Sequence, residues 1–316
     1  MSLKRLWKAK LNSIMEKYDL TIIGTGPAGL SAAIYAGRYN IKTLAVGMSQ
    51  GGTITDAHKV CNYPGLPEIN GAVLGEKMKD HAEKYGAEIQ MGLADEIDKR
   101  EDGFVIETNL GGKHLTEKVI FATGTERRKL GLDREDKLMG SGVSYCATCD
   151  GKFFEDQIVG VVGGANAAAT AALYLSDMAE KVYIIYRRDQ LRAVDSWKKE
   201  IEKAENIEVI YNANVEKLLG EDSLEAVSLD NGQKLNLQGL FIEIGSVPKT
   251  DLAKDLGVNL KDGYIEVNEK QKTNLNSVWA AGDITTNSNH FKQAITAASE
   301  GAIAANDVHK EIKSSN

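Results

Sequence analysis

The residues best placed to do chemistry are Cys146-Ala147-Thr148-Cys149-Asp150, which hold two of the three cysteines in the 316-residue chain and a carboxylate directly after the second. Two residues between cysteines permit a small, reversible ring. A helix begun at Cys146 puts both sulfurs on one face, because positions three apart are neighbours on a helix surface. The free N–H groups at its start favour a thiolate there. Such a dithiol exchanges electrons in pairs, and Asp150 is placed to move the accompanying proton. The same sulfurs are half of a zinc site, but zinc takes three or four ligands. There is no second CxxC, and the nearest histidine is His114. The redox reading is therefore preferred, and it requires a source of electrons.

The elements around the dithiol suggest that source. Tyr18 to Ile23 is a short apolar run of strand type, and Gly24-Thr25-Gly26-Pro27-Ala28-Gly29 follows it. An Ala-rich helix from Leu30 to Arg38 and a strand from Ile41 to Val46 complete a nucleotide-binding unit. Gly24 makes the tight turn, Gly26 lets backbone approach a pyrophosphate, and Gly29 lets helix and strand pack closely. The acid that usually holds a ribose hydroxyl after the second strand is missing. Gln50-Gly51-Gly52-Thr53 stands nearby and can wrap a cofactor through backbone groups, or be a plain turn. A hairpin turning at Gly111-Gly112 leads into Val119 to Phe121 and the small residues Ala122-Thr123-Gly124.

The pattern then restarts. A strand from Gln157 to Val162 runs into Gly163-Gly164-Ala165-Asn166-Ala167-Ala168, a helix from Ala169 to Met178 and a strand from Lys181 to Tyr186. A second hairpin turns at Asp230-Asn231-Gly232, a type I′ signal, before Leu240 to Ile244. Where the acid of an NAD site would stand, this unit has Arg187 and Arg188, with Arg192 just beyond. Guanidinium groups suit the 2′-phosphate of NADP through charge-assisted, bidentate hydrogen bonds. The alternative is a solvated basic turn. The tail, with a strand at Ser277 to Asp283 and a small-residue helix from Gln293 to Asn306, returns to the first unit. The expected fold is α/β: two doubly wound (Rossmann-like) dinucleotide-binding domains, the second inserted into the first. The expected divisions are an N-terminal extension 1–17, a first part 18–126, an insert 127–250 carrying the CxxC, and a second part 251–316.

Bulk properties narrow the partners. A net charge of −7 argues against nucleic acid, which calls for clustered excess Lys and Arg. No eighteen-residue apolar run is present to span a membrane. Residues 1–17 are basic, with apolar residues near helical spacing, and predict a short amphipathic helix lacking the apolar core of a signal peptide. Few cysteines, two of them in one motif, fit a reducing, cytoplasmic compartment. Cys61 is expected to be a small buried hydrophobe.

Together these stretches resemble the low-molecular-weight flavin thioredoxin reductases, from about Tyr18 to the end. The resemblance rests on Gly24 to Gly29, CATCDG at 146–151, Ala122-Thr123-Gly124, Arg187-Arg188 with Arg192, and Ala280-Ala281-Gly282-Asp283 followed by Lys292-Gln293-Ala294. It implies FAD held in the outer domain by the first glycine loop, Gly51, Gly52, Thr53, Asn62, Thr123, Gly124, Gly282, Asp283, Lys292, Gln293 and Ala294. It implies NADPH in the insert at Gly163, Gly164, Asn166, Ala167 and the three arginines. Cys149 would face the flavin, Cys146 would attack the disulfide of thioredoxin or a thioredoxin-like protein, and Asp150 would be the acid–base group. A homodimer whose inserted domain rotates is implied as well. Three departures stand out: Ala165 where the family typically has Gly, Tyr186 where the arginine motif often begins with His, and Lys292 where Arg is common. Ala165 leaves room for another donor (ferredoxin or a deazaflavin), because its methyl could displace the loop from a phosphate. A small-dithiol oxidase and a flavin-binding redox sensor are the remaining alternatives.

Overall fold

The computed structural model describes residues 15–57, 60–110, 112–288 and 291–315. The expected N-terminal helix and the Gly111 half of the first hairpin turn lie outside them. The chain forms two compact units. The first comprises the described residues up to Glu126 and from Pro248 onward; the second is Arg127–Val247. The return crossing thus comes after Val247 rather than after Thr250.

The first unit begins with β1 (Glu16–Ile23), α1 (Pro27–Arg38) and β2 (Thr43–Gly47). It continues through α2 (Gly71–Lys84), β3 (Glu88–Met91), β4 (Ala94–Arg100), β5 (Gly103–Thr108) and β6 (Lys113–Phe121). The seven-stranded sheet runs β3-β2-β1-β6-β5-β4. β6 is long enough to serve two neighbours on one side. Its first half pairs antiparallel with β5, and Val119–Phe121 pair parallel with a late strand, Val278–Ala280. Residues 20–23 of β1 and all of β2 are buried without a break, as strands covered on both faces must be. β1 opens at Glu16, inside the segment expected to be extension, because Glu16 and Lys17 already pair with His114 and Leu115.

β7 (Thr125–Arg127) carries the chain into the second unit. There α3 (Glu135–Leu138), β8 (Val143–Ser144), α4 (Ala147–Asp150), β9 (Ile158–Val162) and α5 (Asn166–Ser176) precede β10 (Lys181–Tyr186), α6 (Asp195–Lys203) and β11 (Ile207–Tyr211). A three-stranded antiparallel sheet, β12 (Val215–Leu219), β13 (Ala226–Leu229) and β14 (Lys234–Asn236), leads to β15 (Gly239–Ile242). The main sheet is all parallel, in the order β11-β10-β9-β15-β8. The β13–β14 turn is not type I′. Gly232 is left-handed (φ 86°) but Asn231 is not, and Gly232 N–H donates to the Leu229 carbonyl at 3.0 Å. Asp230 is committed to Asn214: its N–H donates to the Asn214 carbonyl, and its carboxylate accepts from both the backbone N–H and the side-chain amide of Asn214. That geometry is a right-handed turn closed by an αL glycine, the three-residue alternative.

β16 (Ser246–Pro248) brings the chain back to α7 (Asp251–Asp255), β17 (Leu260–Lys261), β18 (Tyr264–Ile265), β19 (Val278–Ala280) and α8 (Ala294–Ser315). Helix α8 runs well past the Asn306 expected as its end. Its close approach to α1 is made possible by Gly301: a Cβ there would lie 2.0 Å from the Ala28 carbonyl oxygen. Trp279, fully buried, donates its indole N–H to Asp307 and fastens β19 to the same helix.

Candidate functional site

In the first unit, register brings every loop of interest to one edge. Ile23 pairs with Val46 and with Phe121, and Phe121 pairs with Ala280. Four parallel strands therefore end level, and the segments after them emerge at their carboxyl ends, where open α/β sheets bind ligands. Gly24 takes φ +117°, and a Cβ on it would meet the Ala122 carbonyl oxygen at 2.1 Å. A Cβ on Gly29 would come within 1.9 Å of the Gly24 carbonyl oxygen, so only glycine lets α1 start this close to β1. Gly26 is different: the nearest atom to an added Cβ is 3.8 Å away, leaving bare backbone facing open space. Such a surface at the start of a twelve-residue helix fits a pyrophosphate.

The Gly51-Gly52 loop lies against the first loop rather than turning away as a plain bend. Gly51 N–H donates to the Thr25 carbonyl at 2.8 Å, and Thr25 Oγ1 donates to the Ser49 carbonyl at 2.8 Å. Both glycines have positive φ, and Thr53 follows within a short 3₁₀ turn. Asn62 Nδ2 donates to Gln293 Oε1 at 3.0 Å, joining two more predicted positions. Thr123 Oγ1 donates to the Lys249 carbonyl, and Lys292 Nζ stands 3.9 Å over the Tyr264 ring. Gly282 packs on Ala28 and donates its N–H to Glu300 Oε2 at 2.8 Å. Glu300 was not foreseen. It is 4 % exposed, and it also accepts from the hydroxyls of Thr285 and Ser288, so one carboxylate organises the segment after β19. A lone acid within the small-residue stretch expected as a helix, 293–306, was the available sign. Cys61 corrects an expectation: it is exposed. Val60 bridges to Ile69 with its side chain buried, and the next residue consequently turns outward.

The second unit repeats the arrangement with the dithiol added. Val162 pairs with Ile185 and Ile242, and Ser144 pairs with Phe241, so β8, β9, β10 and β15 also end at one edge. The cysteine segment follows β8, the second glycine loop follows β9, and the arginine loop follows β10. Cys146 and Cys149 form a disulfide with Cα atoms 5.2 Å apart. Cys146 is the residue before α4.

Three neighbours fix this segment. Ser144 Oγ, on a residue 4 % exposed, donates to Asp150 Oδ2 at 2.7 Å and accepts from the Cys146 N–H at 3.0 Å. Tyr145 donates its phenol to Glu135, whose carboxylate also accepts three backbone N–H groups from Leu130, Gly131 and Leu132. Burial and then that carboxylate push the Tyr145 phenol above its ordinary range. Glu243 follows β15. Burial pushes its carboxyl up to about 7, against the pull of Arg127 and the Ala147 N–H. The bond from Ser144 to Asp150 depends on a turn that no sequence pattern announces.

Ala165 leaves the loop shape intact. It sits at φ −99°, ψ −174°, close to Gly26 at −79°, −174°, a region any residue adopts. The strain falls on Gly163, at φ +145°, where a Cβ would lie 2.4 Å from the Glu243 carbonyl oxygen. Ala168 stands where the first unit has Gly29 and is fully buried. Asn166 Oδ1 accepts the Val194 N–H at 2.9 Å and so ties this loop to the arginine loop. A glycine loop leading into an eleven-residue helix, with exposed Arg187, Arg188 and Arg192 in the next loop, fits a phosphorylated dinucleotide.

Comparison with known proteins agrees with this geometry. Residues 18–301 match the model of the pyridine nucleotide-disulphide oxidoreductase family. The thioredoxin reductase of Peptoclostridium acidaminophilum is 39% identical, the match covering 94% of this chain and 97% of that protein. The thioredoxin reductase of Bacillus subtilis is 36% identical over 94% and 95%. Among solved structures, the thioredoxin reductase of Streptococcus pyogenes superposes with a TM-score of 0.87 at 34% identity, covering 94% of this chain and 99% of that one.

Proposed function

Because the chain belongs to the pyridine nucleotide-disulphide oxidoreductase family, we propose that it carries an electron pair from NADPH to the Cys146–Cys149 disulfide and on to the disulfide of a thioredoxin. One observation carries the reading. The disulfide, with Asp150 beside it, opens on the same sheet edge as a glycine loop and three arginines. FAD, held at the carboxyl edge of the outer unit, would supply the two-electron relay between nicotinamide and disulfide.

The chain's own residues do the rest. Gly26, Pro27 and Ala28 offer backbone to the flavin pyrophosphate, and the Gly51–Thr53 loop and Asn62 with Gln293 close around the remainder. Glu300 keeps Gly282 and Asp283 in place for it. Gly164, Asn166 and Ala167 seat the nicotinamide dinucleotide, and Arg187, Arg188 and Arg192 take its 2′-phosphate. Two electrons and two protons open the disulfide to a dithiol. The Cys146 thiolate then attacks the partner's disulfide, forming a mixed disulfide and releasing one partner thiolate. Cys149 attacks Cys146 Sγ, releasing the second thiolate and restoring the internal ring, so the partner gains the electron pair the dithiol loses. Asp150, oriented by Ser144, delivers the proton to a departing sulfur.

Cys149→Ser is the test. In an anaerobic titration NADPH still bleaches the flavin of this variant, while thioredoxin reduction falls at least about a hundredfold. Loss of both activities would remove these roles from Cys146 and Cys149. In the wild type NADPH bleaches the flavin faster than NADH or reduced ferredoxin does, and a faster ferredoxin would overturn the donor.

A further inference from the structure

Tyr186 ends β10 directly before the arginine pair, and its ring is 5 % exposed. The ring lies flush against the second glycine loop: a Cβ on Gly164 would come within 2.4 Å of its carbons. The Tyr186 hydroxyl accepts a hydrogen bond from Arg192 Nε at 3.0 Å. The Arg192 backbone N–H donates to the Gly164 carbonyl at 2.6 Å, so the loop, the ring and the arginine close on one another. The bond from Val194 N–H to Asn166 Oδ1 pins the far end of the same segment.

We propose that Tyr186 is a specificity-determining positioning residue, whose hydroxyl holds Arg192 by Nε so that the two Nη groups stay turned outward as donors for a phosphate on the adenosine ribose. The inference rests on the reading that a nicotinamide dinucleotide binds this unit. A guanidinium has five N–H donors in a rigid fork, and using Nε for anchorage leaves the four that grip an anion bidentately. Arginine otherwise loses much side-chain freedom when it captures a ligand, and a preset fork avoids that loss at the binding step. The effect concerns only ligands that carry the extra phosphate. Tyr186 therefore tunes discrimination between phosphorylated and unphosphorylated ribose, not dinucleotide affinity in general.

The test is calorimetric titration of the full chain with adenosine 2′,5′-bisphosphate and with 5′-AMP, which needs no turnover. The wild type prefers the bisphosphate. Tyr186→Phe keeps the ring against Gly164 but cannot accept from Nε; its affinity for the bisphosphate drops about tenfold, the scale of one hydrogen bond to a charged group, while 5′-AMP binding is unchanged. Tyr186→His, with a ring nitrogen able to accept, recovers part of the preference. Equal weakening of both ligands, or of neither, overturns the role of Tyr186 and leaves the NADPH reading standing. A wild type that binds the two ligands alike, or binds neither, overturns that reading and this inference with it.

Discussion

A carboxyl held near neutrality beside a redox pair is the residue-scale feature with the clearest pH consequence. Glu243 titrates at about 7 in the folded chain, raised from its ordinary value of 4.5 chiefly by burial. Between these values the folded protein keeps a proton that the unfolded chain has released. Its contribution to stability is therefore full below about pH 4.5 and is lost as pH rises to 7. Glu243→Gln removes this dependence. It should leave stability at pH 4.5 nearly unchanged and raise it at pH 8 by at most about 3 kcal/mol. Denaturant unfolding at the two pH values checks this, and parallel losses in both proteins would refute it.

At the scale of elements, the small residues at the contact of α1 with α8 set how closely two helices can approach. Gly301 leaves no room for a Cβ beside the Ala28 carbonyl, and a backbone atom, unlike a side-chain tip, does not swing aside. Gly301→Ala should cost about 1–3 kcal/mol by overpacking, lowering the Tm by several degrees. The strain would also move Ala28 in the first glycine loop, so weaker retention of flavin absorbance on gel filtration should accompany the loss. A variant as stable as the wild type would mean the helices can separate without penalty. The second unit has Ala168 at the place of Gly29, so the spacing between helix and strand differs in the two repeats.

At the scale of the whole molecule, each unit has its own core. In the second, Val159, Val161, Ala172, Ile184 and Phe241 lie on one side, and Leu138, Val143, Leu224, Leu240 and Ile242 on the other. All ten are supplied by the stretch Arg127–Val247 itself. A segment of this size with two buried clusters is long enough to fold alone. Residues 127–247, produced separately, should unfold in one cooperative transition and retain the Cys146–Cys149 disulfide by thiol titration. A non-cooperative transition would show that the insert depends on the rest of the chain.

The sequence by itself determined both glycine loops, the repeat of strand, glycine loop and helix, and the close cysteine pair followed by Asp150. These are local signals: a backbone that must turn left-handed at Gly24 or Gly163, or sulfurs three residues apart, is specified by its immediate neighbours. The level ends of the strands, the partners of Glu300, Ser144 and Tyr186, and the outward turn of Cys61 were decided by tertiary structure. Each depends on register or on a contact between segments far apart in the chain, such as Gly282 with Glu300 or Thr123 with Lys249. The β13–β14 turn was misread for the same reason, since Asn214 claimed the Asp230 side chain and dictated the turn geometry. Short-range preference fixes which loops form; long-range packing fixes what each loop's side chains are free to hold.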